Sequence, residues 1–363
     1  MTLSHSFAVN ARFLTRPATG VDRVAIEIIS ALAQRPDVAR LTLLHPKADK
    51  LHVGWLGHLD AGSRAKMDLH PLGSRSGHLW EQLDLAPAQP GSLLLSLCGT
   101  GPVLRRNQAV MIHDAQVWDA AASFSPAFRL AYRILLPTIA RTARHVLTVS
   151  QFAKGRLEDL RIVPQGKTRV VLNGADHMRR FAPDPATLQR YGLVAGEFFL
   201  AIGSLAPHKN LRRLTEAAMA RAPGGPDLIV AGGANSKVFA DAGLAAGTGV
   251  RFIGRVSDAE LSALYQGALA LAFPSLTEGF GLPPLEAMVC GCPVIATTGG
   301  AVPEICGDAA IFVDPSDSAG WTAALERVAA DPALRAGLVT KGHARAAIYT
   351  WAKAADAVME IAQ

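Results

Sequence analysis

The feature that most constrains the fold is a regular alternation between short apolar runs and longer segments with a helical period of apolar residues. Most gaps between the runs are long enough for a crossover helix, so the pattern predicts parallel sheets covered by helices on both faces. The predicted strands of the first half are residues 6–9, 41–44, 93–97, 110–113, 145–149 and 169–172. Those of the second half are residues 198–202, 228–230, 250–253, 269–273, 294–296 and 310–313. Two such series predict an α/β protein with two Rossmann-like, doubly wound domains.

A polar, proline-marked stretch at residues 181–187 separates the two series and predicts a domain boundary. We therefore expect an N-terminal domain over residues 1–182 and a C-terminal domain over residues 183–344. The segment from about 345 to 363 has a helical pattern containing Trp351, and we expect it to cross back onto the first domain. Ligands of open α/β sheets bind beyond the carboxyl ends of the strands, so we expect the site in a central cleft that both domains face.

The composition of the chain limits which kinds of molecule the protein is expected to bind. The 363 residues are half apolar and only 18% charged, as in compact globular proteins. The net charge of +6 suits an anionic partner, but the chain has no dense Lys/Arg run and only 6% aromatic residues, which argues against nucleic acid. The four cysteines lack CxxC spacing, and no signal peptide or membrane-spanning segment is visible, so we expect a cytoplasmic protein with reduced thiols.

Residues 203–211, GSLAPHKNL, follow the strand predicted at 198–202 and lead into a helix. Backbone N–H groups at a helix start attract anions, and Lys209 adds a positive charge. Taken alone, this stretch fits either a phosphate-binding loop or an ordinary turn with a surface lysine.

Residues 274–287, PSLTEGFGLPPLEA, place two carboxylates, Glu278 and Glu286, on either side of a glycine turn and a diproline helix start. Either acid alone also fits an ordinary role, a solvated loop residue or a helix-dipole partner. Together they flank a predicted anion site, where they would repel phosphate unless they accept hydrogen bonds from hydroxyl groups of the same ligand. A sugar nucleotide carries such hydroxyl groups on both sides of its diphosphate.

Other loops add candidate residues and exclude other classes. Residues 297–304 are again glycine-rich, residues 16–23 follow the first strand region, and His113 and Asp114 end another predicted strand. The chain contains no DxD, HExxH or GxSxG pattern, no GxGxxG after the first strand and no complete P-loop. The absence of these motifs argues against a dehydrogenase, a P-loop kinase, a zinc peptidase and an α/β-hydrolase.

These loops together resemble those of the retaining glycosyltransferases of family 4, which have the GT-B fold of two Rossmann-like domains. TEGFGLPPLEAM resembles the E-x7-E signature, GSLAPHKNL the donor phosphate loop and RFIGRVSDAELSALY the segment beside the nucleotide base. Looser matches in the first half are PATGVDR, VMIHDAQVW, VLTVSQFAKGRL and VLNGADH.

The resemblance implies a catalytic set of Glu278, Lys209 and His113. Glu278 would contact the transferred sugar, Lys209 would neutralise the leaving diphosphate, and His113 would line the donor-sugar pocket. The implied donor-binding residues are Gly203, Ser204, Lys209, Asn210, Arg255, Val256, Phe280, Gly281, Leu282 and Glu286, with Glu286 accepting from the ribose hydroxyls. Thr19, Gly20 and Val21, with Asp114, would form the acceptor or phosphate loop. Ser204 departs from the arginine that often follows the loop glycine in the family, so Lys209 would carry more of the diphosphate charge.

The implied reaction moves a hexose from a nucleoside-diphosphate sugar to a glycan or lipid-linked glycan acceptor with retention, and requires neither metal nor cofactor. The expected donor is GDP-mannose, with a UDP-sugar as the next choice. The alternatives are a GT-B sugar-nucleotide epimerase or phosphorylase, and a non-catalytic sugar-nucleotide-binding assembly protein. Arginines 129, 133, 141 and 144 stand among apolar residues within 123–144, which fits either an ordinary crossover helix or peripheral contact with the inner face of the plasma membrane.

Overall fold

The computed structural model describes residues 4–222, 224–233 and 249–362, which form two compact units. The first unit runs to Trp118, continues over Ser125–Gly174 and takes in the chain from Trp351 onward; the second contains Asp119–Phe124 and Ala175–Thr350. Among the described residues, no helix combines the length and apolar character that a bilayer span requires.

The first unit is built on a parallel sheet. Its strands are β1 (His5–Asn10), β2 (Val38–His45), β3 (Met67–Pro71), β4 (Leu93–Ser96), β5 (Gln108–Met111), β6 (His145–Thr148) and β7 (Thr168–Val170). Their order across the sheet is β3-β2-β1-β4-β5-β6-β7. The direction of strand addition reverses between β1 and β4, which is the topological switch point where doubly wound sheets bind ligands.

The second unit repeats this plan. Its described strands are β8 (Phe198–Ile202), β9 (Asp227–Ala231), β10 (Val250–Gly254), β11 (Leu271–Phe273), β12 (Val294–Thr297) and β13 (Ile311–Val313). They are ordered β10-β9-β8-β11-β12-β13, so the switch point lies between β8 and β11. All pairings in both sheets are parallel, and a representative register is Leu271 opposite Leu200.

Helices cover the sheets. The first set is α1 (Gly20–Gln34), α2 (Ala61–Ala65), α3 (Gly77–Trp80), α4 (Gln116–Asp119), α5 (Pro126–Thr142), α6 (Gln151–Asp159) and α7 (Thr187–Arg190). The second set is α8 (Leu211–Met219), α9 (Asp258–Gly267), α10 (Leu282–Val289), α11 (Val302–Cys306), α12 (Ser318–Ala330), α13 (Pro332–Ala346) and α14 (Trp351–Glu360). Short 3-10 helices include Asp176–Arg180 and Pro207–Lys209.

The cores explain why the strands read as continuous apolar runs. Each unit buries both faces of its sheet: in the second, Trp321 of α12 is fully buried among residues of β8, β9 and β11, including Phe199 and Ala272. In the first, Ile139 and Ala140 of α5 pack on Val110 of β5 and Val146 of β6. Because both faces are covered, the strands lack the apolar–polar alternation of half-exposed sheets.

The sequence prediction of two Rossmann-like domains is confirmed, and the predicted strands occur with ends shifted by at most three residues. Strand β3 was not predicted, because MDLHP is a short, largely exposed edge strand that contains Asp, His and Pro. The predicted return of the C-terminal helix is confirmed, since α14 packs on α1 within the first unit. This helix starts at Trp351 rather than near 345, because α13 extends to Ala346.

The division between the units also differs from the expected boundary after residue 182. It falls between Gly174 and Ala175. The physical reason is that the 3-10 helix Asp176–Arg180 packs on α10, so these residues belong to the second unit.

Candidate active site

In the second unit, the two loops that resemble donor-binding loops leave the sheet at its switch point and are hydrogen-bonded to each other. The amide of Leu276 donates to the carbonyl of His208 at 2.7 Å. Asn210 donates from Nδ2 to the carbonyls of Pro274, at 3.1 Å, and Pro315, at 2.8 Å. Asn210 adopts a left-handed conformation (φ 54°), which asparagine tolerates better than most residues. It therefore joins the loops after β8, β11 and β13.

This junction brings Lys209 and Glu278 together. Nζ of Lys209 lies 2.7 Å from Oε1 of Glu278, and the two side chains are 25% and 11% exposed. Next to Lys209, burial and then the lysine charge lower the pKa of His208, whose Nδ1 lies 3.0 Å from Oγ of Ser123. His208 is therefore neutral near pH 7, and the positive charge of this loop is that of Lys209.

The loop after β12 presses against the backbone of Glu278. The amide of Ala301 donates to the carbonyl of Glu278 at 2.9 Å. A Cβ on Gly300, whose φ is +68°, would lie 2.4 Å from the amide nitrogen of Glu278; one on Gly299 would lie 2.3 Å from the carbonyl oxygen of Leu276. Only glycine permits so close an approach. The glycines that the sequence showed in residues 297–304 thus fix the position of Glu278.

The glycine turn after Glu278 starts α10. Gly281 caps this helix with φ +109°, and Phe280 is buried edge-on against Tyr349 with ring centroids 5.9 Å apart. The predicted diproline helix start is present, and it limits the anion-binding capacity of the helix. Pro283 and Pro284 have no N–H group, so of the four amides that a helix start leaves free only those of Gly281 and Leu282 are donors.

Glu286 lies on α10 and is held by two residues that the sequence reasoning did not single out. Nε2 of His177 lies 3.1 Å from Oε1, and the hydroxyl of Tyr265 lies 3.2 Å from Oε2. Burial, and then the Glu286 charge, raise the pKa of Tyr265 well above its usual value, so its hydroxyl stays protonated and donates. His177 and Tyr265 stand 109 and 21 positions from Glu286, and no local spacing links them to it.

The other predicted donor-binding residues of the second unit lie in or beside the loops after β8 and β10. The amide of Gly203 donates to the carbonyl of Ala231 at 3.1 Å and continues the sheet rather than pointing to a ligand. Oγ of Ser204 accepts from the amide of Ala206 at 3.4 Å, a turn within the loop. Arg255, which is exposed, and Val256 follow β10 and precede the cap of α9.

In the first unit, the predicted loop at Thr19, Gly20 and Val21 is the start of α1. Thr19 donates to Oδ2 of Asp22 from its amide at 2.9 Å and from its hydroxyl at 2.8 Å. Asp22 is fully buried, and its other oxygen accepts from Nη2 of Arg16 at 2.9 Å. This reciprocal capping makes the loop a rigid helix start.

His113 and Asp114 follow β5. His113 is buried and lies with Nε2 2.8 Å from the carbonyl of Leu97, so Nε2 carries the proton. Burial lowers the pKa of His113, and the ring is neutral with an acceptor at Nδ1. Asp114 accepts from the amide of Gln116 at 2.9 Å.

A second cluster of the first unit also escaped the sequence reasoning. Glu81 is 1% exposed and accepts hydrogen bonds from Nδ2 of Asn10 at 2.9 Å and Oγ1 of Thr100 at 3.1 Å. It also contacts Nε of Arg12 at 3.2 Å and Nδ1 of His78 at 2.8 Å. The cluster joins the ends of β1 and β4. In the described part of the chain, no three His, Cys, Asp or Glu side chains converge as a metal site would require.

Comparison with known proteins shows which class of protein this chain is similar to. Residues 192–345 match the model of the family described as glycosyl transferases group 1. The chain is 29% identical over 366 residues to O-antigen chain mannosyltransferase B of Escherichia coli, covering 92% of this chain and 93% of that protein. It is 27% identical over 334 residues to O-antigen chain mannosyltransferase RfbU of Salmonella typhimurium, covering 88% and 90%. The structure of a sucrose-phosphate synthase from Thermosynechococcus elongatus superposes with a TM-score of 0.75 at 20% identity, covering 99% and 98%.

The fold is that of the GT-B glycosyltransferases. More narrowly, residues 192–345 are a group 1 glycosyltransferase domain. The resemblance to family 4 glycosyltransferases that the sequence indicated is confirmed. The roles assigned to individual residues stay predictions.

Proposed function

We propose that this protein transfers a hexose, mannose from GDP-mannose, to a glycan or lipid-linked glycan acceptor in cell-surface polysaccharide assembly. The transfer retains the anomeric configuration and needs no metal. The observation that carries the proposal is the Lys209–Glu278 pair at the switch point of a group 1 glycosyltransferase domain. Glu286 lies on α10, the helix that follows Glu278. Two relatives, both O-antigen chain mannosyltransferases, support mannose and a cell-surface glycan.

The chemistry follows from the positions of the charges. The acceptor oxygen bonds to the anomeric carbon of the sugar as the bond to the nucleoside diphosphate breaks. The bonding electrons, and then the acceptor proton, pass to the diphosphate, so the leaving group gains negative charge in the transition state. Lys209 and the amide of Leu282 stabilise that charge where it develops. Glu278 exchanges its contact with Lys209 for the hydroxyls of the sugar and holds the anomeric carbon in place. Glu286 accepts hydrogen bonds from the ribose hydroxyls.

The test is a transfer assay with GDP-mannose, UDP-glucose and a panel of glycan and lipid-linked acceptors. Replacing Lys209 by Ala should raise the donor KM at least about tenfold, since a charge-assisted contact to phosphate is lost. Replacing Glu278 by Gln should lower kcat about a hundredfold while donor binding persists. Full activity of Lys209→Ala would overturn the diphosphate assignment.

The same assay separates the alternative functions and the finer claims. Nucleoside diphosphate released only with acceptor supports transfer. Release that depends on phosphate points to a phosphorylase, and conversion of the sugar nucleotide without release points to an epimerase. Proton NMR of the product gives the anomeric configuration, and excess EDTA should leave the rate unchanged.

We also propose that α5 contacts an anionic membrane. One face of this helix packs into the core through Leu136, Ile139 and Ala140. The opposite face exposes Leu130 (65%) and Ile134 (63%) beside the exposed Arg133. Apolar side chains flanked by arginines are typical of helices that lie in a membrane interface.

Flotation with vesicles containing anionic lipid tests this contact. The unaltered protein should float at low salt and dissociate as salt screens the charges. Replacing Arg133 by Glu together with Ile134 by Asp should reduce the bound fraction several-fold, because both the charge and the apolar contact are lost. Arg212→Glu, at a highly exposed arginine of α8, is the matched control and should float normally. Absence of binding at low salt would contradict the proposal.

A further inference from the structure

Both oxygens of the Glu286 carboxylate are held by protein donors. Because an ionised carboxylate only accepts hydrogen bonds, Nε2 of His177 carries the proton that points to Oε1 at 3.1 Å. The Tyr265 hydroxyl donates to Oε2 from 3.2 Å and lies equally close to the carbonyl of Pro283. The two donors approach from different elements, the 3-10 helix Asp176–Arg180 and α9.

These donors are rigid. His177 is 2% exposed and Tyr265 is fully buried. Each therefore presents its N–H or O–H group from a fixed position, and the carboxylate cannot rotate about its last bond without breaking one contact. The Glu286 side chain itself keeps 10% of its surface exposed.

We propose that His177 and Tyr265 are positioning residues, which fix the plane of the Glu286 carboxylate so that it binds two adjacent ligand hydroxyls at once. The inference rests on the proposed function, in which those hydroxyls are the 2′- and 3′-hydroxyls of the donor ribose. A carboxylate offers about four acceptor directions. One on each oxygen is taken by His177 or Tyr265, and one on each remains for the ligand.

This arrangement makes Glu286 a selector for ribonucleotides. A vicinal diol donates one hydrogen bond to each oxygen, whereas a 2′-deoxyribose leaves one oxygen without its ligand donor. If the plane of the carboxylate were free to turn, the carboxylate could reorient and bind a single hydroxyl nearly as well as it binds the diol. The ribose-to-deoxyribose preference therefore depends on the two donors that hold the plane.

The experiment compares the affinities of GDP and UDP with those of their 2′-deoxy forms by calorimetry, using the full chain. The unaltered protein should prefer the ribonucleotide about tenfold, the size expected for a hydrogen bond to a charged group. In Tyr265→Phe, which removes only a hydroxyl, ribonucleotide binding should weaken about fivefold while 2′-deoxy binding stays nearly unchanged. His177→Leu should act in the same way, and His177→Gln, which keeps an N–H donor, should restore part of the preference.

Tyr191→Phe is the matched control, because it removes another hydroxyl that donates to a glutamate of the second unit, Glu260, at 3.4 Å. It should leave the preference intact. Equal weakening of both nucleotide forms in the Tyr265 and His177 variants, or an unchanged preference in variants that melt normally, would overturn the inference. An unaltered protein that binds ribo- and deoxynucleotides equally would also overturn it, whereas one that binds no nucleoside diphosphate would overturn the proposed function itself.

Discussion

Glu81 shows how a single residue can organise the edge of a sheet. It is almost completely buried, and its four neighbours Asn10, Arg12, His78 and Thr100 all present donors to it. Burial alone would raise the pKa of Glu81, but the hydrogen bond from His78 and the charge of Arg12 outweigh it and lower that pKa. The folded first unit therefore favours the ionised carboxylate.

A carboxyl group whose pKa is lower in the folded state adds stability that is complete above its unfolded pKa and is lost as the pH falls toward the folded value. For Glu81 that loss begins below about pH 4.5. Glu81→Gln, which cannot titrate, should lower the free energy of unfolding at neutral pH by about 2 kcal/mol, because donors lose their charged partner. The variant should then lose less further stability between about pH 5 and about pH 3 than the unaltered protein.

Urea unfolding followed across this pH range checks the prediction. The control is Asp68→Asn, at a carboxylate that pairs with Arg40 on the surface at 2.6 Å, where exposed ion pairs contribute little. If Glu81→Gln followed the same pH profile as the unaltered protein, the cluster would not stabilise the ionised form.

Single residues were the least predictable part of the site. Lys209, Glu278 and Glu286 were found because each stands in or beside a glycine- or proline-marked loop after a strand. His177 and Tyr265 end two of the quoted stretches, VLNGADH and RFIGRVSDAELSALY, but neither residue was singled out. Their role arises when two distant elements pack on α10, and a single sequence contains no signal of that packing.

At the scale of elements, the loop after β12 fixes the loop after β11. Gly300→Ala would force a Cβ into the backbone of Glu278 and strain a residue whose φ is +68°. It should destabilise the second unit by about 2 kcal/mol or more and displace Glu278, so kcat should fall as well.

The control for Gly300 is Gly337→Ala in the interior of α13, where nothing lies within 4 Å of an added Cβ. That substitution should stabilise by about 0.5–1 kcal/mol, since alanine favours helix over glycine. Thermal unfolding and a transfer assay measure both variants. Wild-type stability and turnover in Gly300→Ala would show that the close approach is not required.

Elements were predicted well where they are buried and poorly where they are exposed. The strand Phe198–Ile202 was predicted to the residue, because a buried parallel strand is a continuous apolar run between turns. Strand β3 was missed because it lies at the sheet edge, where half-exposed positions remove that pattern. The glycines of residues 297–304 were recognised as a turn, but their contact with Glu278 is visible only in three dimensions.

At the scale of the whole molecule, the chain returns to its first unit at the end. Helix α14 packs on α1 and buries Trp351, Ala354, Ala355, Val358 and Met359. The first unit is therefore complete only when residues 351–360 have been synthesised, and its folding includes contacts between distant parts of the sequence.

Ala355→Glu tests this dependence, since Ala355 is fully buried. A carboxylate there should destabilise the first unit by about 3 kcal/mol or more through crowding and burial of charge. Ala352→Glu, at an exposed position of the same helix, should be nearly neutral. Limited proteolysis with mass mapping should show new cleavage within the first unit for Ala355→Glu. An equal effect of both substitutions would contradict the packing role of α14.

The Lys209–Glu278 contact also bears on what the protein ignores. In the absence of donor, each side chain is the counter-ion of the other, 2.7 Å apart. Free inorganic phosphate can take Lys209 only by leaving Glu278 without a partner. Under the proposed function, a sugar nucleotide brings hydroxyls for the glutamate and phosphates for the lysine together. The pair would then favour a ligand that carries both groups over simple phosphates, which offer only one.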